Sequence, residues 1–513
     1  MKPSMRTPPG RFGMIPLVLL ASAVFHSALA QGPLAPPGPP VPTMKTLDQV
    51  EPRIPITNLP HHILSPGSYY LTGNLTSTGH GIVVRADGVS VDLMGFTLTG
   101  SGASSFRGVL VEKTGLDPIR DVSVCNGSLE RFGTGLYASR SWGGRYESLN
   151  LRSNVNDGIL VQYGEGNTFA GVSSGGNGQH GVYFYGLGAS CKGHLVRDAV
   201  VIGNVADGIR LFGDFGEASA NRILGAFVSG NGGSGIAVAG GSGAADDNVI
   251  EDTMIVSNMV NGITVSVGSG SANGNEIRRC TVSGQGGYGI ALQVAEGRAD
   301  GNVVEACNLR NNGDSAINLG VDAGRASGNR FTENRITGNN GHGIRFNADN
   351  GGDTSGNRIE NCTVVGQAAD GIVLRASHTA TANGNVIARN NIGDNQDGIV
   401  FEVFSEGLIR GNEIRGNTIY DGTDGIRCGE LNAVGGIVNN RIEDNLSTGN
   451  VRDLNMSDPS QGNLIVRNMF SAGAMWFPAI ANPFGPMVDA TYSELPGTGD
   501  PVHPWANFRP PVE

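Results

Sequence analysis

The chain has 513 residues, of which 46 are acidic and 35 are basic, so its formal net charge at pH 7 is −11. An acidic chain without a basic stripe interleaved with aromatic residues is not expected to bind nucleic acid. The 81 glycines rarely leave the run of about ten residues that a helix needs, which excludes folds built from helical repeats.

The first segment, residues 1–30, has the features of a secretory signal peptide. Three basic residues precede an apolar run over residues 14–21, and Ala28-Leu29-Ala30 supplies the small residues of a cleavage site. The apolar run is too short to cross a bilayer. We therefore expect a secreted protein, extracellular or periplasmic, with no membrane anchor.

Residues 31–53 are rich in proline and are predicted to form an extended spacer. A repeat region follows over residues 54–470, and its segment from Ile54 to Leu71 is expected to cover the open lower end. Residues 471–513 depart from the repeat and contain several aromatic residues, which predicts a C-terminal capping tail. Caps of this kind protect the unpaired strand edges of a terminal repeat.

One pattern returns along the repeat region: Gly-Asn-x-Ile, then a short polar turn, then a Gly-Ile step. The glycine of that step, or the residue in its place, stands at Gly81, Gly108, Gly135, Gly158, Gly181, Gly208, Gly235, Gly262, Gly289, Ala316, Gly343, Gly371, Gly398 and Gly425. Most intervals are 27 residues. So regular a period indicates a solenoid, in which each unit buries its apolar face by stacking on its neighbours.

Each repeat holds three short runs in which apolar and polar residues alternate, such as those around Ile250, Ile255 and Ile263. Alternation with a period of two predicts strands. The predicted fold class is therefore all-β, a parallel β-helix whose coils of 27 residues are stacked about 4.8 Å apart.

The side chains that point into this solenoid follow from the same alternation. The Gly-Ile strand is expected to send its isoleucine and the residue two positions later inward, as with Ile209 and Leu211. Inward asparagines at the corners are expected to bond to turn backbone groups and to the asparagine of the next coil. Cys280 and Cys307 occupy one such row in adjacent coils. They form either a disulfide or a stacked pair of buried thiols.

The motifs Gly-Asn-x-Ile-x-x-Asn and Asp-Gly-Ile, repeated over residues 55–470, resemble right-handed parallel β-helix proteins of the pectate-lyase-like superfamily. The closest resemblance is to the repeats of carbohydrate-binding and sugar-hydrolase domains. The chain end, Pro504-Trp505-Ala506-Asn507-Phe508, is similar to the tail of many secreted β-helix proteins. The resemblance implies a right-handed solenoid. It selects no activity, because pectate lyases, polygalacturonases, alginate epimerases and adhesins share the fold.

The residues that precede the Gly-Ile steps form a vertical row, in which Asp370, Asp397 and Asp424 follow one another with His342 below. Carboxylates about 5 Å apart raise one another's pKa or share a cation or a substrate. This row is the candidate catalytic site, with calcium as its candidate cation; no other cofactor or metal site is predicted. The alternative is that Asp-Gly suits a tight turn and that the row faces water.

His342 lies in the triplet Gly341-His342-Gly343, which resembles the Gly-His-Gly of polygalacturonases. The other motifs of those enzymes are not in register here, and Gly79-His80-Gly81 shows that the repeat itself produces such triplets. A polygalacturonase is therefore not predicted.

The outward positions of the Gly-Ile strand give a second candidate site. Tyr183, Tyr185, Arg210 and Phe212 fall on neighbouring coils, and aromatic rings with a nearby cation suit the apolar faces and hydroxyls of sugar rings. The alternative is that the loop Gly213-Asp214-Phe215-Gly216 folds over these side chains and buries them.

Three arginines lie farther along the same face, at Arg345, Arg375 and Arg427. They are expected either to meet the carboxylates of uronate sugars or to balance the charge of the aspartate row.

These features predict a secreted protein that binds or processes an extracellular polysaccharide or cell-surface glycan along its long strand face. As an enzyme it would be a polysaccharide lyase, a glycoside hydrolase or an epimerase. The alternative is a non-catalytic, structural or adhesin-like solenoid of the cell surface.

Overall fold

The computed structural model describes residues 52–431, 435–456, 460–471, 474–476, 482–485, 487–489 and 504–509. The chain divides into two units, Met1–Pro52 and Arg53–Glu513. The predicted signal peptide and the predicted spacer up to residue 51 lie outside the described residues. In the described part of the second unit every regular element is a β-strand, and no helix there is long and apolar enough to span a membrane.

The strands that follow the Gly-Ile step form one parallel sheet, called here the long face. Its strands are His61–Ile63, Ile82–Val84, Arg107–Val111, Thr134–Ser139, Ile159–Gln162, Val182–Leu187, Ile209–Asp214, Ile236–Gly240, Ile263–Val267, Ile290–Val294, Ile317–Val321, Ile344–Ala348, Ile372–Ser377, Asp397–Phe404, Asp424–Leu431, Arg452–Met456 and Ala474–Trp476. Each strand pairs with its counterpart one coil away, as Ile236 does with Ile263.

Shorter strands form the second face. They are Ile54–Ile56, Gly67–Leu71, Val89–Asp92, Ser123–Glu130, Arg145–Arg152, Thr168–Ala170, Leu195–Arg197, Arg222–Leu224, Val249–Glu251, Glu276–Arg278, Val303–Glu305, Arg330–Thr332, Arg358–Glu360, Val386–Ala388, Glu413–Arg415, Arg441–Glu443 and Leu464–Val466. Ser123–Glu130 and Arg145–Arg152 are long enough to run on into the third face.

The third face completes each coil. Its strands are Leu75–Thr76, Thr97–Thr99, Ser173–Gly175, Val200–Ile202, Phe227–Ser229, Met254–Val256, Thr281–Ser283, Asn308–Arg310, Arg335–Thr337, Thr363–Val365, Asn391–Gly393, Thr418–Tyr420, Leu446–Thr448, Met469–Phe470, Met487–Asp489 and Asn507–Arg509. Two corner pairs, Ile119–Arg120 with Ser141–Trp142 and Leu408–Arg410 with Gly436–Val438, form small sheets of their own. The arrangement is the predicted parallel β-helix with three strands per coil.

Both predicted caps carry strands that continue these sheets. At the lower end, Ile54–Ile56 pairs in parallel with Gly67–Leu71, which pairs with the next coil. At the other end, Asn507–Arg509 pairs with Met487–Asp489 and meets Met469 of the last regular coil. The described parts of the two end segments therefore extend the solenoid along its axis.

The interior is an apolar column built from the inward positions of all three faces. Ile209 and Leu211, predicted to point inward, are fully buried, as are Ile250 and Ile255 to within 2%. Burying each such side chain contributes about 1.5–3 kcal/mol. Because a single coil cannot enclose these side chains, the column exists only when coils stack.

Buried asparagines form hydrogen-bonded ladders at the corners, as predicted. The Nδ2 group and the backbone N–H of Asn221 both donate to Oδ1 of Asn248 in the next coil, at 3.0 and 2.9 Å. Cys280 and Cys307 occupy rungs of another ladder as free thiols that are 1% exposed. Of the two alternatives for these cysteines, the structure shows the stacked buried pair.

Candidate functional site

The long face carries the four predicted binding residues Tyr183, Tyr185, Arg210 and Phe212, called here the aromatic platform. In the parallel pairing of their two strands, Tyr183 stands beside Arg210 and Tyr185 beside Phe212. The rings of Tyr185 and Phe212 are parallel within 1°, with centroids 5.7 Å apart. Tyr183 stacks on Tyr185 at 5.2 Å and 19°. The register of the two strands sets the stacking of Tyr185 on Phe212, since outward side chains on neighbouring coils lie at about the strand spacing of 4.8 Å, whereas Tyr183 and Tyr185 are alternate residues of one strand.

Arg210 supplies the cation of the platform. Its guanidinium carbon lies 4.9 Å from the ring centroid of Phe212 and 5.9 Å from that of Tyr183, and its Nη1 donates to Oδ2 of Asp207 at 3.0 Å. The ring of His180 lies 4.9 Å from that of Tyr183. Burial lowers the pKa of His180 to about 4, so the imidazole is neutral at neutral pH.

The loop that was one alternative for covering the platform does not bury it. The strand continues through Asp214, and Phe215 projects into solvent with 72% of its surface exposed. The four platform side chains stay partly exposed. In the next coil, a Cβ added to Gly241 would lie 3.0 Å from the Phe212 ring, so this glycine leaves room for the ring. The platform therefore lies open on the long face.

The candidate catalytic row also exists as predicted, but its side chains bond to the protein. Oδ1 of Asp370 accepts the backbone N–H of Asp397 at 3.1 Å, and Oδ1 of Asp397 accepts that of Asp424 at 3.0 Å. Nδ1 of His342 accepts the backbone N–H of Asp370 at 3.3 Å and lies 3.4 Å from its Oδ2. His342, Asp370 and Asp397 thus each accept a backbone N–H from the next coil.

Arginines complete the contacts of the row. Nε of Arg427 donates to Oδ2 of Asp397 at 2.7 Å, and Arg452 binds both carboxylate oxygens of Asp424. Burial raises the pKa of Asp397 against the opposing charge of Arg427. The row does not face water, because Asp370, Asp397 and Asp424 are only 7, 4 and 1% exposed.

The predicted roles of this row remain predictions. Every carboxylate oxygen of Asp397 and Asp424 has a donor. Among the described residues, no group of three or more His, Cys, Asp or Glu side chains is placed to hold a metal ion. These contacts describe a structural ladder in which arginines pair with Asp397 and Asp424, and the catalytic and calcium-binding hypotheses need a test of their own.

The other predicted arginines differ in their partners. Arg375 donates to Oε2 of Glu402 through Nε at 3.1 Å and Nη2 at 2.6 Å, and Arg427 shares the same carboxylate. Among the described residues Arg345 has no carboxylate partner, and its Nε is buried without a hydrogen bond. It stands beside Asn318 in the sheet, whose Oδ1 is likewise buried without a hydrogen bond.

A shallow groove on the long face, called here the amide groove, was not predicted from the sequence. Its volume is about 480 Å³, and Ser266, Gln293, Asn318, Gly320 and Asn347 contribute to its lining. Gly320 stands between Gln293 and Asn347 in one outward row, and its missing side chain helps to form the hollow. A glycine in an otherwise occupied outward row is the sequence signal for this groove.

The sequence profile of the right-handed β-helix region family matches residues 134–298, 249–400 and 294–470. These matches cover more than half of the chain, so the protein belongs to this family of right-handed parallel β-helices. No curated protein sequence matches the chain significantly.

Several solved structures align with parts of the chain. The A-module of mannuronan C-5 epimerase AlgE4 from Azotobacter vinelandii aligns at 14% identity and a TM-score of 0.39, covering 78% of this chain and 91% of that one. The Dettilon tailspike protein aligns at 15% identity and a TM-score of 0.37, covering 76% of this chain and 62% of that one. The catalytic unit of the GH87 α-1,3-glucanase from Streptomyces thermodiastaticus aligns at 15% identity and a TM-score of 0.31, covering 61% of this chain and 59% of that one.

Proposed function

We propose that this protein binds a polysaccharide along its long face, with the aromatic platform as the main contact. The observation that carries the proposal is the parallel, partly exposed pair of Tyr185 and Phe212 rings. The C–H faces of a sugar ring are apolar and pack on aromatic rings, while its hydroxyl groups need hydrogen-bond partners. Arg210 and Asp207, which bond to each other at the platform edge, provide such partners.

The rest of the long face suits a ligand longer than one sugar. Beyond Phe212 the same outward row continues through Ala239 to Ser266 of the amide groove. The alanine keeps the surface low between the platform and the groove. In the groove, Gln293, Asn318 and Asn347 offer neutral donors and acceptors. A polysaccharide laid along the axis would meet a new coil about every 4.8 Å.

The proposal is tested by titrating the purified chain with a panel of neutral and anionic polysaccharides and measuring affinity by calorimetry. Truncating Tyr185→Ala or Phe212→Ala is expected to weaken binding about tenfold for each ring, since stacked rings contribute on the order of 1 kcal/mol beyond their buried area. The matched control is Tyr70→Ala, which removes a partly exposed tyrosine from the second face. Equal losses in Tyr70→Ala and Tyr185→Ala would contradict the proposal.

Processing of the polysaccharide is a second candidate function, favoured by the pair of His342 and Asp370 at the end of the row. Their side chains lie 3.4 Å apart, and the imidazole is 20% exposed. The same panel, with and without calcium, is assayed for new reducing or unsaturated ends. Product that disappears in Asp370→Asn or Asp397→Asn would make the row catalytic. Binding without product in every condition would leave a binding solenoid.

Secretion belongs to the same proposal and rests on the signal-peptide features of residues 1–30. A polysaccharide-binding face is useful where such polymers occur, outside the cytoplasm. If the purified chain bound no polymer of the panel, the structural or adhesin-like solenoid would become the better explanation of its regularity.

A further inference from the structure

We propose, on the basis of the proposed function, a second subsite beside the platform that binds a negatively charged sugar unit, carboxylated or sulfated. It is a pocket of about 290 Å³ whose lining includes Arg140, Trp142, Tyr163 and Lys192. None of these residues was singled out by the repeat pattern. We call this site the cationic pocket.

Two arginine–aromatic stacks meet at the cationic pocket. The guanidinium carbon of Arg140 lies 4.8 Å from the ring centroid of Tyr163, and that of Arg120 lies 4.9 Å from the ring of Trp142. Trp142 is 39% exposed. Such stacks hold a guanidinium in a fixed plane while leaving its N–H groups free to bind an anion.

Arg120 and Arg140 form no ion pair among the described residues, although the charge of Arg120 helps to lower the pKa of Asp87. Within residues 52–431, neither Arg120 nor Arg140 has a carboxylate within the 4.0 Å of an ion pair, whereas Lys192 pairs with Glu217 at 3.3 Å. The one carboxylate in the pocket lining, that of Glu165, is exposed to solvent. On a chain with a net charge of −11, the guanidinium of Arg140 in the pocket lining, with that of Arg120 over the Trp142 ring, makes a local site for an anion.

The backbone directs both side chains to this place. Arg140 and Tyr163 follow directly after the long-face strands Thr134–Ser139 and Ile159–Gln162. Both have left-handed backbone angles, with φ of 50° and 59°, which are uncommon for large residues. This turn ends each strand and brings the two side chains into the wall of the same pocket.

The pocket borders the platform in the sheet, because Gln162, the residue before Tyr163, stands beside Tyr185. Ala189 and Ser190 of the pocket lining follow the strand Val182–Leu187, which carries Tyr183 and Tyr185. A sugar chain on the platform can therefore place a neighbouring unit in the pocket. The rings of Trp142 and Tyr163 would pack on that unit, and the guanidinium of Arg140 would bind its anionic group in a bidentate contact.

The test compares anionic with neutral polymers on the full chain by calorimetry. The probes are polygalacturonate for a carboxylate, dextran sulfate for a sulfate, and methyl-esterified polygalacturonate and dextran as their neutral counterparts. We expect Arg140→Gln to weaken binding of an anionic polymer about tenfold, as for one charge-assisted bidentate contact. Binding of the neutral counterpart should change less than about twofold, and added salt should weaken anionic binding selectively.

Arg467→Gln is the matched control. Arg467 also lies over an aromatic ring, 5.4 Å from that of Trp505, but it is ion-paired with Asp444 at 2.7 Å. It should leave both affinities unchanged. Thermal unfolding of each variant confirms that it is folded.

Three results overturn the inference. If anionic and neutral polymers bind alike, or if Arg140→Gln binds like the wild type while Tyr185→Ala is weakened, the pocket has no such role and the proposed function stands. If no polymer binds at all, the inference and the proposed function both fail. A preference for polygalacturonate over dextran sulfate, or the reverse, identifies the anionic group.

Discussion

The aromatic platform and the aspartate row lie on one side of the same solenoid, yet their side chains are engaged in different ways. At the platform, Tyr185 and Phe212 contact each other and keep part of their surface in solvent. In the row, Asp397 bonds to the backbone of Asp424 and to Arg427. The repeat places a side chain on a face, but the neighbours one coil away decide whether it is available to a ligand.

The aspartate row shares its hydrogen bonding with several other coils of the solenoid. In these coils the side chain before the Gly-Ile step accepts a backbone N–H from the next coil: Asp207 accepts from Ser234 at 2.8 Å, and Asn261 accepts from Tyr288 at 2.9 Å. Aspartate, asparagine and histidine all serve in this position. Three consecutive aspartates in the sequence are therefore compatible with the same structural role, provided that arginines balance their charge.

The largest difference between the two regions should appear in stability. Asp397→Ala leaves Arg427 without its main partner and removes the acceptor for a buried N–H, so we expect it to lower the free energy of unfolding by about 3 kcal/mol. Tyr185→Ala on the open platform should lower it by less than about 1 kcal/mol. Chemical denaturation of both variants measures this contrast.

Asp397→Asn is the informative control, because an amide oxygen still accepts the backbone N–H of Asp424 while the ion pair is lost. Its free energy of unfolding should lie between those of the wild type and Asp397→Ala. An Asp397→Ala variant as stable as the wild type but without polysaccharide binding would invert the comparison and make the row the functional region.

A smaller effect is expected from pH at the edge of the platform. Burial raises the pKa of Asp157 to about 6, so the folded state holds more protons there than the unfolded state between about pH 4 and 6, and stability falls as pH rises. Burial lowers the pKa of His180 to about 4, so the unfolded state holds more protons between about pH 4 and 6.5, and stability rises with pH.

In the wild type these two contributions oppose each other. In Asp157→Asn the free energy of unfolding should rise more steeply with pH between pH 4 and 6 than in the wild type. In His180→Asn it should fall with pH over the same range. Each slope should change by up to about 1.4 kcal/mol per pH unit. Denaturation series at several pH values measure the slopes. Identical slopes in both variants would show that neither group titrates as its burial implies.

The smallest expected effect concerns the stacking of the rings in the aromatic platform. A Cβ at Gly241 would lie 3.0 and 3.2 Å from atoms of the Phe212 ring, closer than normal contact, so Gly241→Ala should tilt the ring away from Tyr185. We expect polysaccharide affinity to fall about two- to threefold, a fraction of the loss on removing a ring. An unchanged affinity would mean that the parallel stacking of the rings is not required.

The fold was predictable because the sequence repeats with a fixed period. The interval between Gly-Ile steps set the coil length, the alternation around Ile250 and Ile255 set the strands, and the corner asparagines set the ladders. The platform was predictable for the same reason, since Tyr183 and Arg210 are one period apart and must stand side by side.

The features that the sequence did not predict depend on local backbone conformation and on side-chain rotamers. Arg427 pairs with Asp397 and with Glu402 on the preceding coil, a choice of rotamer that spacing does not specify. Arg140 enters its pocket through a left-handed turn, in the part of the chain where the repeat is shortened between Gly135 and Gly158. The repeat pattern is therefore least informative where the period is broken, and the proposed cationic pocket includes such a segment.

The ladders have a consequence for how such a protein can change its length. Each coil presents on its upper side the same acceptors that it meets on its lower side, as the asparagines at 221, 248 and 275 show. One complete coil of 27 residues, such as that from Gly235 to Asn261, could be deleted or duplicated with every rung still matched. The distance between the aromatic platform and the amide groove would then change in steps of about 4.8 Å. Recombination that adds or removes whole coils would therefore change the spacing of the two sites without changing either site.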